Sequence, residues 1–216
     1  MTDSGREAVL GAVRQALARR TAAGGPPPCP PSHLIPQRAQ RQAPELHALF
    51  VQQAQAAGAT VVSVPDEAAL AQALAALAAE HGDVPVVAPA SPLAKLPWAT
   101  APALRAVQSG DALAVSTAVA AIAETGSVAL ASGPENPVLS AFLPEHHAVV
   151  VPASAVLGPS EDLWALLREQ AGPEGLVFPR TLHWVTGPSR SGDIEMTMLF
   201  GAHGPLSLTL FLLEDG

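Results

Sequence analysis

Hydrophobic positions along this chain switch repeatedly between a helical and a strand period. Over 4–20, Ser4 and Glu7 form a capping-box pair, and Val9, Leu10, Val13 and Leu17 recur at helical spacing. A first helix over 4–20 is expected. PELHALFVQQAQAAG opens on Pro44 and closes on Gly58. DEAALAQALAALAAEHG (66–82) opens on acids and closes on glycine, so both stretches carry helix marks at each end. The short runs ATVVSV (59–64) and VPVVAP (84–89) read as strands. Helix–strand–helix–strand order predicts an α/β domain with a largely parallel sheet.

The middle of the chain is richer in strands. ALAVS (112–116), AAIAE (120–124) and SVALAS (127–132) follow closely, the last two separated only by Thr125-Gly126. That spacing predicts a tight antiparallel excursion on the sheet. ENPVLSAFLP reads as a short helix bounded by proline, HHAVVVP (146–152) as a strand, and EDLWALLREQAG (161–172) as a helix. LHWVTG (182–187) and LSLTLFLL (206–213) are the last expected strands, with a helix over 192–200 between them. No internal repeat is present.

Composition changes this picture at the N-terminus. Residues 21–44 hold seven prolines and little that is apolar, which predicts an extended linker between the first helix (1–20) and an α/β domain over 45–216. Charge is divided along the same line. Residues 1–44 carry six Arg against two acids, whereas 45–216 carry five bases against 17 acids. The acidic body should repel nucleic acid and anionic membrane surfaces. Aromatics make up 4% of the chain and Tyr is absent, which argues against a stacking platform for bases. Alanine accounts for 43 residues, so the core must come from closely packed elements rather than bulky side chains. No apolar run reaches the roughly 18–20 residues that span a bilayer, and MTDSGREAV lacks the order of a signal peptide, so a cytoplasmic chain is expected. The one cysteine, Cys29, cannot by itself form a disulfide framework or hold an iron–sulfur cluster, so no cofactor is expected in this chain.

Candidate chemistry concentrates in two stretches. GPSRSGDIEMTMLFGAHG (187–204) follows an expected strand and precedes the expected helix. Such loops leave the carboxyl ends of strands, where open α/β sheets bind ligands. Backbone N–H groups at a helix start attract anions, and Arg190 offers a bidentate clamp for carboxylate or phosphate. Asp193 and Glu195 offer the alternative of a capped helix or a salt bridge with Arg190. In AIAETGSVALASGP (121–134), Glu124 at a strand end is a general base, a nucleophile toward a thioester, a partner for Arg190, or simply a turn residue. Gly133, Pro134 and Asn136 form a loop that could face the same crevice. His146 and His147 are adjacent on a strand and point to opposite faces, so they do not share a metal. His203, in the loop after the expected helix, is the preferred functional histidine. GxxxxGK[ST] and GxSxG are both absent, and Trp98, Trp164 and Trp184 read as packing residues.

Taken together and in this order, AIAETGSVALASGPENPVLSAFLPEHHAVVVPASAVL and WVTGPSRSGDIEMTMLFGAHGPLSLTLFLL resemble the LUD-domain family, in particular its small stand-alone members of the lactate-utilisation C type. The likeness covers roughly 120–213. SGD at 191–193 stands where the family usually has Thr-Ala-Asp, keeping Asp193. The resemblance implies a fold like that of the sugar-phosphate isomerase, CoA-transferase and formyltetrahydrofolate cyclo-ligase superfamily: a mostly parallel sheet with an antiparallel insert. It implies a part in oxidising L-lactate to pyruvate, alongside two partner subunits that carry the iron–sulfur clusters. It also brings Glu124, Thr125, Gly126, Ser189, Arg190, Asp193 and Glu195 into the recognisable motif pieces. Glu124 and Arg190 are then the expected catalytic residues. Thr125, Gly126, Ser189, Asp193, Glu195 and His203 join Arg190 around a small-carboxylate site.

Two other readings stay open on the residues alone. One is an independent transferase, isomerase or ligase acting on an anionic small molecule, a reading weakened by the presence of a single lysine, Lys95. The other is a ligand-sensing or structural module.

Overall fold

The glycines and acids that punctuate the sequence end the elements where expected. In the computed structural model, which describes residues 3–22, 35–82, 84–170, 178–194 and 197–214, Asp66 caps a helix by accepting the Ala69 N–H at 2.7 Å. The chain divides into two units, Met1–Leu34 and Ile35–Gly216. The first contains the helix α1 (Asp3–Ala22). Residues 23–34 of the expected linker, Cys29 included, lie outside the described residues. From Ile35 onward the chain belongs to the second unit: a 3-10 turn at Gln37–Ala39 buries Ala39, so this end of the expected linker is packed rather than extended.

The second unit contains α2 (Ala43–Ala56), β1 (Thr60–Val64), α3 (Glu67–Glu80), β2 (Val86–Val87), β3 (Ala103–Leu104) and β4 (Leu113–Thr117). It continues with β5 (Ala120–Ile122), β6 (Ser127–Ala131), β7 (His146–Pro152), β8 (Val156–Leu157), α4 (Ser160–Gln170) and β9 (Leu182–Val185). β10 (Arg190–Ile194), β11 (Thr197–Phe200) and β12 (Ser207–Leu213) close the chain. Six strands form an all-parallel sheet in the order β1-β12-β7-β4-β2-β3. The antiparallel excursion is a separate sheet, β8-β5-β6-β9, in which β5 and β6 pair antiparallel across the Thr125-Gly126 turn. The expected α/β architecture, a mostly parallel sheet with an antiparallel insert, is the observed one.

Period-two alternation sorts the side chains between layers. In β7, Ala148 and Val150 pack with Phe211, Leu70 and Leu74 on the α3 side of the main sheet. Val149 and Val151 pack with Leu210, Phe50 and Ala54 on the α2 side. The second sheet also uses both faces. Ala121, Val128 and Leu130 join the core shared with α2, while Ala120, Ile122 and Ala129 pack on Leu163 and Leu167 of α4.

One expected helix is absent. The stretch expected as a helix over 192–200 instead contributes to an antiparallel hairpin of β10 and β11, with a register shift between Ser191 and Ile194. The sequence carries the reason. Apolar residues stand at 194, 196, 198 and 200, a period of two that suits strands, and Asp193 falls within β10 rather than in the first turn of a helix. Gly201 ends a strand.

Candidate functional site

The two motif stretches converge on the last turn of α2. Gly126 has φ 68°, and a Cβ there would overlap the backbone nitrogen of Ala54. Gly187 has φ 72°, and a Cβ there would overlap the carbonyl oxygen of Ala57. Only glycine permits these backbones to come so close in this conformation. A chain of hydroxyls ties the stretches together: the Ser127 Oγ lies 2.7 Å from Thr125 Oγ1 and 2.6 Å from Thr186 Oγ1. Arg190 joins the same junction, its Nη2 donating to the Ala57 carbonyl at the C-terminal end of α2. A guanidinium there complements the negative end of the helix dipole.

This geometry rearranges the expected set. Arg190 does not sit at a helix start, because the loop after β9 leads into β10. Asp193 falls within β10, and Glu195 lies outside the described residues. Glu124 follows β5, where its backbone N–H donates to the Gly158 carbonyl at 3.2 Å. Its carboxylate lies 3.9 Å from Arg38 Nη2. Among the described residues no hydrogen bond or ion pair joins Glu124 to Arg190.

Ser189 and His203 do meet. They line a cavity of about 220 Å³ together with Phe142, His147, His183 and Trp184. The Ser189 backbone N–H donates to the Pro205 carbonyl at 2.9 Å, and the Gly201 N–H donates to the Ser189 carbonyl at 3.0 Å, which fastens the 187–189 loop to the 201–205 loop. Thr186, Gly187 and Pro188 complete that wall. Among the described residues, no Lys, Arg, Asp or Glu lines the cavity. It lies over the amino ends of β7 and β12, where His147 and Leu208 sit, and not at the carboxyl ends expected for an open parallel sheet. The cause is the membership of β9: it pairs antiparallel with β6 in the second sheet, so the loop leaving it is not a carboxyl-end loop of the parallel sheet.

The Gly133-Pro134-Asn136 loop faces a different cavity, of about 430 Å³, at the carboxyl ends of β2 and β4 with Ser91 and Thr117. Trp98 packs in the core and donates its indole N–H to the Leu93 carbonyl at 2.9 Å, whereas Trp164 and Trp184 face each other with 37% and 39% of their surfaces exposed.

The adjacent histidines do take opposite faces. His146 stacks on His81, at the end of α3, with ring centroids 3.4 Å apart, and its Nδ1 lies 2.6 Å from Ser207 Oγ. Burial, and then the charge of His81, hold the His146 pKa below its usual value, while Glu145 acts the other way. His147 turns to the cavity side. It is 1% exposed, its Nε2 lies 2.9 Å from Ser116 Oγ, and burial pushes its pKa down to about 4. Sequence reasoning missed His147 and His183 as cavity residues. The available signal was a histidine inside HHAVVVP, a run otherwise destined for burial on both faces. Among the described residues no group of three His, Cys, Asp or Glu is placed to hold a metal ion, and no helix is long and apolar enough to cross a membrane.

The fold and the junction on α2 define an α/β protein with a parallel sheet, an antiparallel side sheet and a small histidine-lined cavity between loops. Residues 101–213 match the LUD domain, and the chain belongs to that family. It is 32% identical over 174 residues to lactate utilization protein C of Geobacillus thermodenitrificans, across 79% of this chain and 70% of that protein. The protein of that name from Geobacillus kaustophilus is 37% identical over 94 residues, 44% of this chain and 39% of its own length. The one from Bacillus subtilis is 31% identical over 94 residues, with the same shares. Among solved structures, a DUF162 family protein from Deinococcus radiodurans superposes with a TM-score of 0.58 over 80% of this chain and 99% of that one. At 19% identity that likeness concerns the fold.

Proposed function

We propose that this chain is a component of a lactate-utilisation system that supports oxidation of L-lactate to pyruvate with iron–sulfur partner subunits. The observation that carries the reading is the similarity, across 79% of the chain, to a protein named lactate utilization protein C. The cavity beside the 187–204 loops has, at about 220 Å³, room for a molecule of lactate's size. Phe142 and Trp184 line this cavity and are 45% and 39% exposed, as expected for a mouth that a partner covers. The clusters that accept electrons belong, in this reading, to the partners.

Deletion of the chain from its own host tests the reading. Growth on L-lactate as sole carbon source is expected to stop while growth on pyruvate continues, and re-expression restores it. Unchanged growth on lactate would sink the proposal and favour an independent enzyme with another anionic substrate.

A further inference from the structure

The larger cavity stands where two neighbouring parallel strands send the chain in opposite directions. In the sheet order β1-β12-β7-β4-β2-β3, β2 and β4 pair with each other. The next strand of this sheet after β2 is β3, on one side, whereas the next after β4 is β7, on the other. Loops that part in this way leave a crevice at the carboxyl ends of the strands, and open α/β sheets bind ligands there. The cavity of about 430 Å³ occupies that crevice, lined by Ser91 and Pro92 after β2 and by Thr117 and Val119 at and after the end of β4.

Crevices of this kind commonly take anions through free backbone N–H groups, but here those donors are spent. The N–H groups of Ser91, Ala118 and Val119 donate to the carbonyls of Ala88, Val150 and Ala129, each at 2.9 Å. That of Ser132 donates to Thr181, and those of Gly133 and Asn136 donate to each other's carbonyls. Pro92 and Pro134 have none to give. Among the described residues no Lys or Arg lines the cavity, and its one charged side chain is Glu135, which no ion pair holds. The Ser91 and Ser132 hydroxyls accept the Leu93 and Thr181 N–H groups, and their remaining protons do not offset a full negative charge. Acceptors, by contrast, are on offer. The Asn136 amide donates Nδ2 to the carbonyls of Ala131 at 3.3 Å and Thr117 at 3.5 Å. Both partners are acceptors, so the nitrogen faces them and Oδ1 turns away, accessible and accepting nothing among the described residues. Pro92, Ala118 and Val119 supply apolar wall. We infer that this crevice binds a small organic cation, a protonated amine on a compact apolar body, which donates to Asn136 Oδ1 and turns its charge toward the Glu135 carboxylate. The site is separate from the histidine-lined cavity and does not depend on the lactate reading.

The test titrates the full ¹⁵N-labelled chain with three probes of one shape and different charge: benzylamine, benzyl alcohol and benzoate. Benzylamine is expected to move the Val119, Gly133 and Asn136 resonances saturably, and to bind about tenfold or more tighter than benzoate, with the alcohol between them. Glu135→Gln should weaken the amine by about two- to fivefold at low salt and leave the alcohol unchanged. Ala90→Trp, which puts a large side chain on an exposed lining position, should abolish the shifts with all three probes. Benzoate binding as tightly as benzylamine overturns the inference, as do shifts centred on His183 and Ser189 of the other cavity, or amine binding untouched by Ala90→Trp. A chain that shows no saturable shift with the amine overturns it too. If Ala90→Trp does not fold, the wild-type shift map and the ranking of the three probes decide. Each of these failures leaves the lactate reading standing, because that reading uses neither this cavity nor these residues.

Discussion

The guanidinium of Arg190 donates to the carbonyl of Ala57, so the residue that reads in sequence as an anion clamp holds the end of a helix. The contact is exposed to solvent, and helix-end charges and exposed pairs contribute little each. Arg190→Ala should cost about 1 kcal/mol or less in urea unfolding, and Arg190→Lys should recover part of it. A loss above about 3 kcal/mol would mean that the guanidinium holds more than this helix end.

Gly126 and Gly187 are expected to matter far more than Arg190 for stability. A side chain at either position enters the backbone of α2 at a positive φ. Gly126→Ala and Gly187→Ala should each cost more than about 3 kcal/mol, through overlap added to backbone strain. Gly110 provides the control: its φ is 93°, but nothing lies within 4 Å of an added Cβ. Gly110→Ala should cost only about 1–2 kcal/mol. Equal losses in all three variants, measured by thermal unfolding, would remove the junction argument.

Burial of His147 makes the stability of the fold depend on pH. His147 has a pKa of about 4 in the folded chain against 6.5 ordinarily, so between those values the unfolded chain binds a proton that the folded chain refuses. The stability due to neutral His147 is fully present above about pH 6.5 and is lost progressively toward pH 4, a loss on the order of 3 kcal/mol. His146, also lowered, adds to the loss with the same sign. Asp162 acts oppositely: burial and Glu161 raise its pKa, so its cost declines as pH falls. Asp111, held low by Arg105, contributes stability that goes only below the usual carboxylate range. Urea unfolding at several pH values should therefore show a slope between pH 6.5 and 4 that flattens in His147→Gln. In the same series His81→Gln should raise the His146 pKa in an NMR titration, because it removes the neighbouring charge.

The order of elements was legible in the sequence because helices and strands of this chain carry distinct periods and marked ends. α2 begins beside Pro44 and α3 stops before Gly82, as their local chemistry requires. The hairpin of β10 and β11 was misread because Asp193 satisfies two local rules at once, an acidic helix start and a polar strand position. The alternation from Ile194 to Phe200 favours the second. The partners of Glu124 and Arg190 were not legible, since Arg38 and Ala57 reach them from distant parts of the chain. His147 was hidden for a related reason: strand alternation fixes the face it takes, but the Ser116 contact and the cavity above it come from β4 and from the 187–205 loops.

The most direct test of the central claim is lactate-dependent reduction of an artificial electron acceptor by the proposed iron–sulfur partner subunits under anaerobic conditions, with and without this chain. The account predicts a rate that requires the chain and saturates as the chain is titrated against its partners. An undiminished rate in its absence would contradict it.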